Sequence, residues 1–128
     1  MDRWILVGLG GLIGTLARYG AGGLLTRMKG GTTFPIETLV INVAGCLVIG
    51  FLAGLSETRG IFSPSARSFL FVGLLGGFTT FSTFGYETFQ LLRDGQIGAG
   101  LGSVALQIVL GVGGVWAGDV LARVAGGA

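Results

Sequence analysis

The sequence predicts an all-α membrane protein of four transmembrane helices, with the third helix broken near its middle. Three observations predict it. Only 11% of the residues are charged, against about 25% in a soluble domain, and the mean hydropathy is +0.82. Four apolar runs, at about 4–26, 38–56, 68–92 and 96–122, each reach the roughly 17–25 residues that cross a bilayer. The third run gathers Gly76, Gly77, Thr79, Thr80, Ser82 and Thr83 into one short stretch. That composition weakens a helix, because glycine raises the backbone entropy cost and Ser and Thr compete for backbone hydrogen bonds. Irregular backbone at membrane depth is tolerated only inside protein or beside a wet cavity, so the break marks a candidate ion or substrate site. The four runs form a single transmembrane domain over residues 1–128, with no linker and no repeated helix pair.

The first run is uncharged except for Arg18 and is too long for the apolar core of a removable signal peptide. Gly10 and Gly14 form a small face that lets another helix approach closely. The glycine-rich stretch from Gly8 to Gly14 does not read as a dinucleotide loop, because no acidic residue follows about 20 positions on and no strand–helix alternation surrounds it. Arg18 must snorkel or find a carbonyl or carboxylate, which leaves a structural role and a place in a watery vestibule both open.

Glu37 stands just ahead of the second run, and Thr38 and Asn42 follow four residues apart on one face. A carboxamide buried unpaired costs about 1–3 kcal/mol, so Asn42 needs a partner, either across helices or in a permeating anion. Gly50 and Gly54 form a second close-packing face, and Pro64 is a start signal for the third helix. Past the expected break, Phe81 and Phe84 share a face beside Ser82 and Thr83, and the electropositive ring edge of a phenylalanine can meet a small anion. Thr80, Thr83 and Glu87 make a polar stripe from the break toward the membrane surface, and a carboxylate in an apolar run calls for a wet path. In the fourth run Ser103 and Gln107 are four apart, and the segment from Asp119 is expected to fray.

The single Cys46 has no intrachain partner and packs as a small hydrophobe. Histidine is absent, which removes the commonest transition-metal ligand and the usual neutral-pH base. A net charge of +2 is too small and too dispersed for nucleic-acid binding. Arg3, Arg59, Arg67 and Arg123 lie on the side of the termini, while Arg27, Lys29 and Arg93 lie on the other. That near-balance gives the positive-inside rule little to act on, so the chain is expected to insert both ways and form an antiparallel homodimer.

Three segments together resemble the Fluc (CrcB-type) fluoride channels of microbes. They are Gly10-Gly11 with Gly14 and Arg18-Tyr19, the run from Thr38 to Gly45, and the run from Gly76 to Phe84 followed by Glu87. The resemblance implies an antiparallel dual-topology homodimer in the bacterial plasma or inner membrane, passing fluoride passively out of the cytoplasm through two pores. By motif position it makes Asn42 the amide donor, places the ring edges of Phe81 and Phe84 on fluoride, and puts Thr38, Ser82, Thr83 and Glu87 on the polar track. It implies a structural sodium ion on the two-fold axis, held by the main-chain carbonyls of Gly76 and Thr79. Unwound carbonyls are hard ligands suited to such a cation. Arg18, Ser103 and Gln107 fall to the vestibule or the structural frame. The resemblance weakens at Gly111, where some relatives carry a polar side chain, so the reach of the track along the fourth helix stays open.

The alternative is a proton-coupled transporter of the small multidrug-resistance type, also a four-helix antiparallel dimer. It needs a carboxylate in the middle of the first helix, where this chain has Arg18. A purely structural subunit explains the glycines but not the clustered Thr, Ser and Asn. An enzyme is not expected, because no nucleophile–base pair or metal-ligand cluster assembles.

Overall fold

Each apolar run becomes a helix whose ends are set by local chemistry. The computed structural model describes residues 2–127. Helix α1 spans Arg3–Met28, α2 Ile36–Arg59, α3 Pro64–Arg93 and α4 Ile97–Ala125, all long and apolar enough to cross a membrane. Asp2 caps α1 by accepting from the Trp4 amide at 3.2 Å. Ser63 caps α3 by accepting from the Ala66 amide at 3.1 Å, with Pro64 in the first turn. Gly60, with φ 60°, closes α2 in the left-handed conformation that L side chains avoid.

Several ends depart from expectation, and α2 runs Ile36–Arg59 rather than 38–56, closed only at Gly60. Helix α3 starts at Pro64 rather than near residue 68, because the serine cap and the proline nucleate an extra turn. Helix α4 does not fray from Asp119 but continues to Ala125. Arg123 donates to Asp119 Oδ2 at 2.8 Å and to Glu57 Oε2 at 3.1 Å, and Arg59 donates to the Ala125 carbonyl at 2.9 Å. Those bonds tie the last turn to the end of α2.

The glycine faces carry the packing. Helix α1 lies on the first half of α3, and α2 lies along α4. A Cβ on Gly10 would stand 2.5 Å from the Phe69 carbonyl oxygen, and one on Gly77 would stand 2.6 Å from the Gly11 oxygen. The two backbones therefore touch at a distance only glycine permits. Gly50 and Gly118 do the same between α2 and α4, against the main chains of Val115 and Leu47. The buried apolar side chains among the described residues are few, namely Ile41, Leu75, Leu91 and Ala122. Leu12, Val109 and Trp116 are among many that stand exposed, as suits a surface facing lipid.

Helix α3 is irregular twice. Ser68–Leu75 winds as a π-helix, and Gly76–Phe78 returns to α geometry. The chain then opens at Thr79 (φ −85°, ψ 161°) and Thr80 (φ −151°, ψ 116°) before Phe81–Arg93 resumes as helix. The break thus falls on the threonine pair, and the glycine pair stays helical. Extended backbone suits β-branched residues, while Gly77 serves the contact with α1.

Candidate functional site

The site begins where α3 opens, because the opening releases main-chain groups that something must satisfy. Asn42, on α2, supplies both halves of the answer. Its Oδ1 accepts from the Thr80 amide at 2.9 Å, and its Nδ2 donates to the Thr80 carbonyl at 3.0 Å. The second Nδ2 hydrogen goes to Gln107 Oε1 on α4 at 3.2 Å. Thr80 then caps the second half of α3, its hydroxyl accepting from the Thr83 amide at 3.3 Å.

These bonds leave specific carbonyls without helical partners. The Thr80 amide, which would close on Gly76, is held by Asn42. The Thr83 amide, which would close on Thr79, is held by the Thr80 hydroxyl. The Gly77 carbonyl accepts from Arg18 Nε at 3.1 Å, so the half-buried arginine of α1 has a main-chain partner on α3.

Around the break lies a cavity of about 400 Å³ whose lining includes Asn42, Gly76, Thr79, Thr80, Phe81, Phe84 and Gln107. It contains no carboxylate, arginine or lysine. Phe81 and Phe84 meet edge to face, with ring centroids 5.5 Å apart, and Phe81 is 82% exposed in the protomer. Thr80 also lines a second cavity of about 630 Å³, together with Arg18, Arg27, Glu37, Thr38 and Thr83. Lys29 and Thr26 hold Glu37 there, at 2.7 Å and 2.9 Å. Thr38, buried, donates to Glu87, and Glu87 lines a third, smaller cavity with Gln90 and Asp94. Amide, hydroxyl and carboxylate groups therefore run in sequence from the break toward the end of α3.

Most of the residues picked out in the sequence meet along this line. Ser82 does not, being exposed and lining none of the three cavities. Ser103 is buried at 1% exposure and likewise lines none of them, while Gln107 joins the break itself. Sequence reasoning gave Thr80 too small a part. Its signal was the threonine doublet, since the second of two β-branched residues before a helix is a natural cap.

Fold and site define a multi-pass membrane protein whose third helix is opened beside a largely apolar cavity that holds a few uncharged polar groups. The chain belongs to the CrcB-like family (camphor resistance, CrcB), whose model matches residues 5–119. It is 47% identical over 123 residues to a protein of Methylobacillus flagellatus, covering 96% of each chain. It is 42% identical to one of Opitutus terrae, covering 95% of this chain and 93% of that one. It is 46% identical to one of Chloroflexus aurantiacus, covering 92% and 99%. All three relatives carry the name fluoride-specific ion channel FluC.

Proposed function

We propose that this chain is a fluoride-selective channel that lets cytoplasmic fluoride leave a bacterial cell passively and so limits its toxicity. The observation that carries the reading is the chemistry of the cavity at the break: the amides of Asn42 and Gln107, the hydroxyls of Thr79 and Thr80 and the rings of Phe81 and Phe84 among apolar side chains such as Ile49 and Leu75, with no fixed charge. A small anion there meets donors good enough to replace part of its water yet too weak to trap it. The names of the relatives supply the identity of the ion. In this reading Asn42, Phe81 and Phe84 line the path, and Thr38, Thr83 and Glu87 extend it to the surface, with Ser82 flanking it. Proton-coupled drug transport has no acid to work with, either in the middle of α1 or in the cavity.

The working unit is an antiparallel dual-topology homodimer. Nearly balanced cations on the two sides support it, as does the exposure of Phe81, which a second copy would cover. A sodium ion fits the break. The carbonyls of Gly76 and Thr79 have lost their helical amides, and no group of three His, Cys, Asp or Glu competes among the described residues. Main-chain oxygens suit a hard cation, and the ion would bind two subunits together at the break. Its charge, beside Arg18, would favour an anion nearby.

Survival tests the reading in cells. A bacterium stripped of its own fluoride export should regain growth on fluoride when it makes this protein, and should not regain resistance to cationic drugs. Continued fluoride sensitivity with the protein present in the membrane would overturn the proposal.

A further inference from the structure

The polar line that starts at the break does not stop at Glu87. Thr80 lines both the cavity at the break and the second cavity, while Thr38, which lines the second, donates to Glu87, which lines the third. Two shared points therefore join three cavities. The third holds about 220 Å³ and lies between the two loops on the side of the membrane away from the termini. Thr33 and Pro35 reach it from the loop between α1 and α2, and Gln90, Asp94 and Gln96 from the end of α3 and the turn that follows.

Both loops are fixed there. Thr33 Oγ1 donates to Gln96 Oε1 at 3.1 Å across the gap, Gly95 turns the chain with φ 80°, and the Gln96 amide donates back to the Leu91 carbonyl at 2.8 Å. Asp94 stands at the rim, its side chain 56% exposed, with the exposed Arg93 guanidinium 3.4 Å away. A pair so open to water offsets little of the carboxylate's field. No arginine or lysine lines this cavity, whereas Arg18 and Arg27 line the second. An anion leaving past Glu87 thus meets an acidic rim.

We propose that this cavity is the outer mouth of the anion path, and that Asp94 is the rim charge that limits how fast fluoride crosses it, an assignment that rests on the fluoride-channel reading. A carboxylate a few ångströms from a passing anion raises its energy even in water, and dissolved salt screens the effect. The limit belongs to low ionic strength.

Single-channel fluoride current through the purified protein, in a planar bilayer of uncharged lipid, tests the charge and the mouth separately. At about 0.01 M ionic strength a charge reaches roughly 30 Å, so Asp94→Asn should raise the current on the order of twofold to fivefold and Asp94→Lys should raise it further. At about 1 M the reach falls to roughly 3 Å, and the three proteins should converge. Thr33→Trp places a bulky ring in a cavity of about 220 Å³ and should lower the current at either ionic strength. Should that variant not fold, Gln96→Trp supplies the same plug from the opposite loop. Asp94 variants that match wild type at low salt, or differ from it equally at high salt, would overturn the proposal. So would wild-type current from a folded tryptophan variant, because Asp94 would then act on the solution at large and not on a mouth. A wild-type protein without fluoride current fails as a channel, whereas one whose current ignores all these changes fails only in this assignment.

Discussion

The carboxamide of Asn42 pairs with both main-chain groups of Thr80, accepting from its amide at 2.9 Å and donating to its carbonyl at 3.0 Å. A side chain on α2 thereby replaces hydrogen bonds that α3 gives up, and the opening becomes a fixed part of the fold. Removing it should show in stability before it shows anywhere else. Asn42→Ala leaves the Thr80 groups unpaired and should destabilise the protein by about 1–3 kcal/mol. Thermal unfolding in detergent measures this, and a midpoint unchanged from wild type would mean the break holds itself.

Backbone contact between α1 and α3 gives a steric prediction. Gly77→Ala places a methyl group 2.6 Å from the Gly11 oxygen, where only main chain could yield. We expect a loss of about 1–3 kcal/mol, as for other overpacked sites. Gly98→Ala meets nothing within 4 Å and should be neutral or slightly stabilising in its helix. Equal unfolding midpoints for the two variants would remove the seam from the account.

Phe81 is 82% exposed in the protomer, so its truncation should spare the packing of the four helices. Phe81→Ile should still cut fluoride efflux on the order of tenfold, equivalent to about 1.4 kcal/mol on the barrier. Efflux at the wild-type rate from a folded variant would take the ring off the path.

Freed carbonyls at Gly76 and Thr79 predict dependence on a hard monovalent cation. Replacing sodium with a bulky organic cation should lower the unfolding midpoint, and titrating sodium back should raise it along a binding curve. A midpoint indifferent to the cation would argue against the sodium site.

Much of this was legible in the residues. Four apolar runs and sparse charge gave the helices, and Gly10, Gly14, Gly50 and Gly54 marked the faces that touch. Asn42 was recognisable because a carboxamide at that depth needs a partner, although nothing in its spacing named Thr80, which is brought near only by the tertiary fold. Composition locates the break in the correct stretch but does not divide it between the glycines and the hydroxyl-bearing residues, because glycine's flexibility looks the same whether it opens a helix or admits a neighbour. The π-helical winding of Ser68–Leu75 was not legible, since shifting each hydrogen bond by one residue leaves no trace in composition. The frayed end expected from Asp119 failed for a related reason. The bonds from Arg123 to Glu57 and from Arg59 to Ala125 join residues far apart in sequence.

The most direct test of the central claim is anion efflux from liposomes holding the purified protein, read with a fluoride electrode and, in parallel, a chloride electrode. The account predicts rapid loss of trapped fluoride with chloride retained. Retention of both ions, or release of both at similar rates, would contradict it.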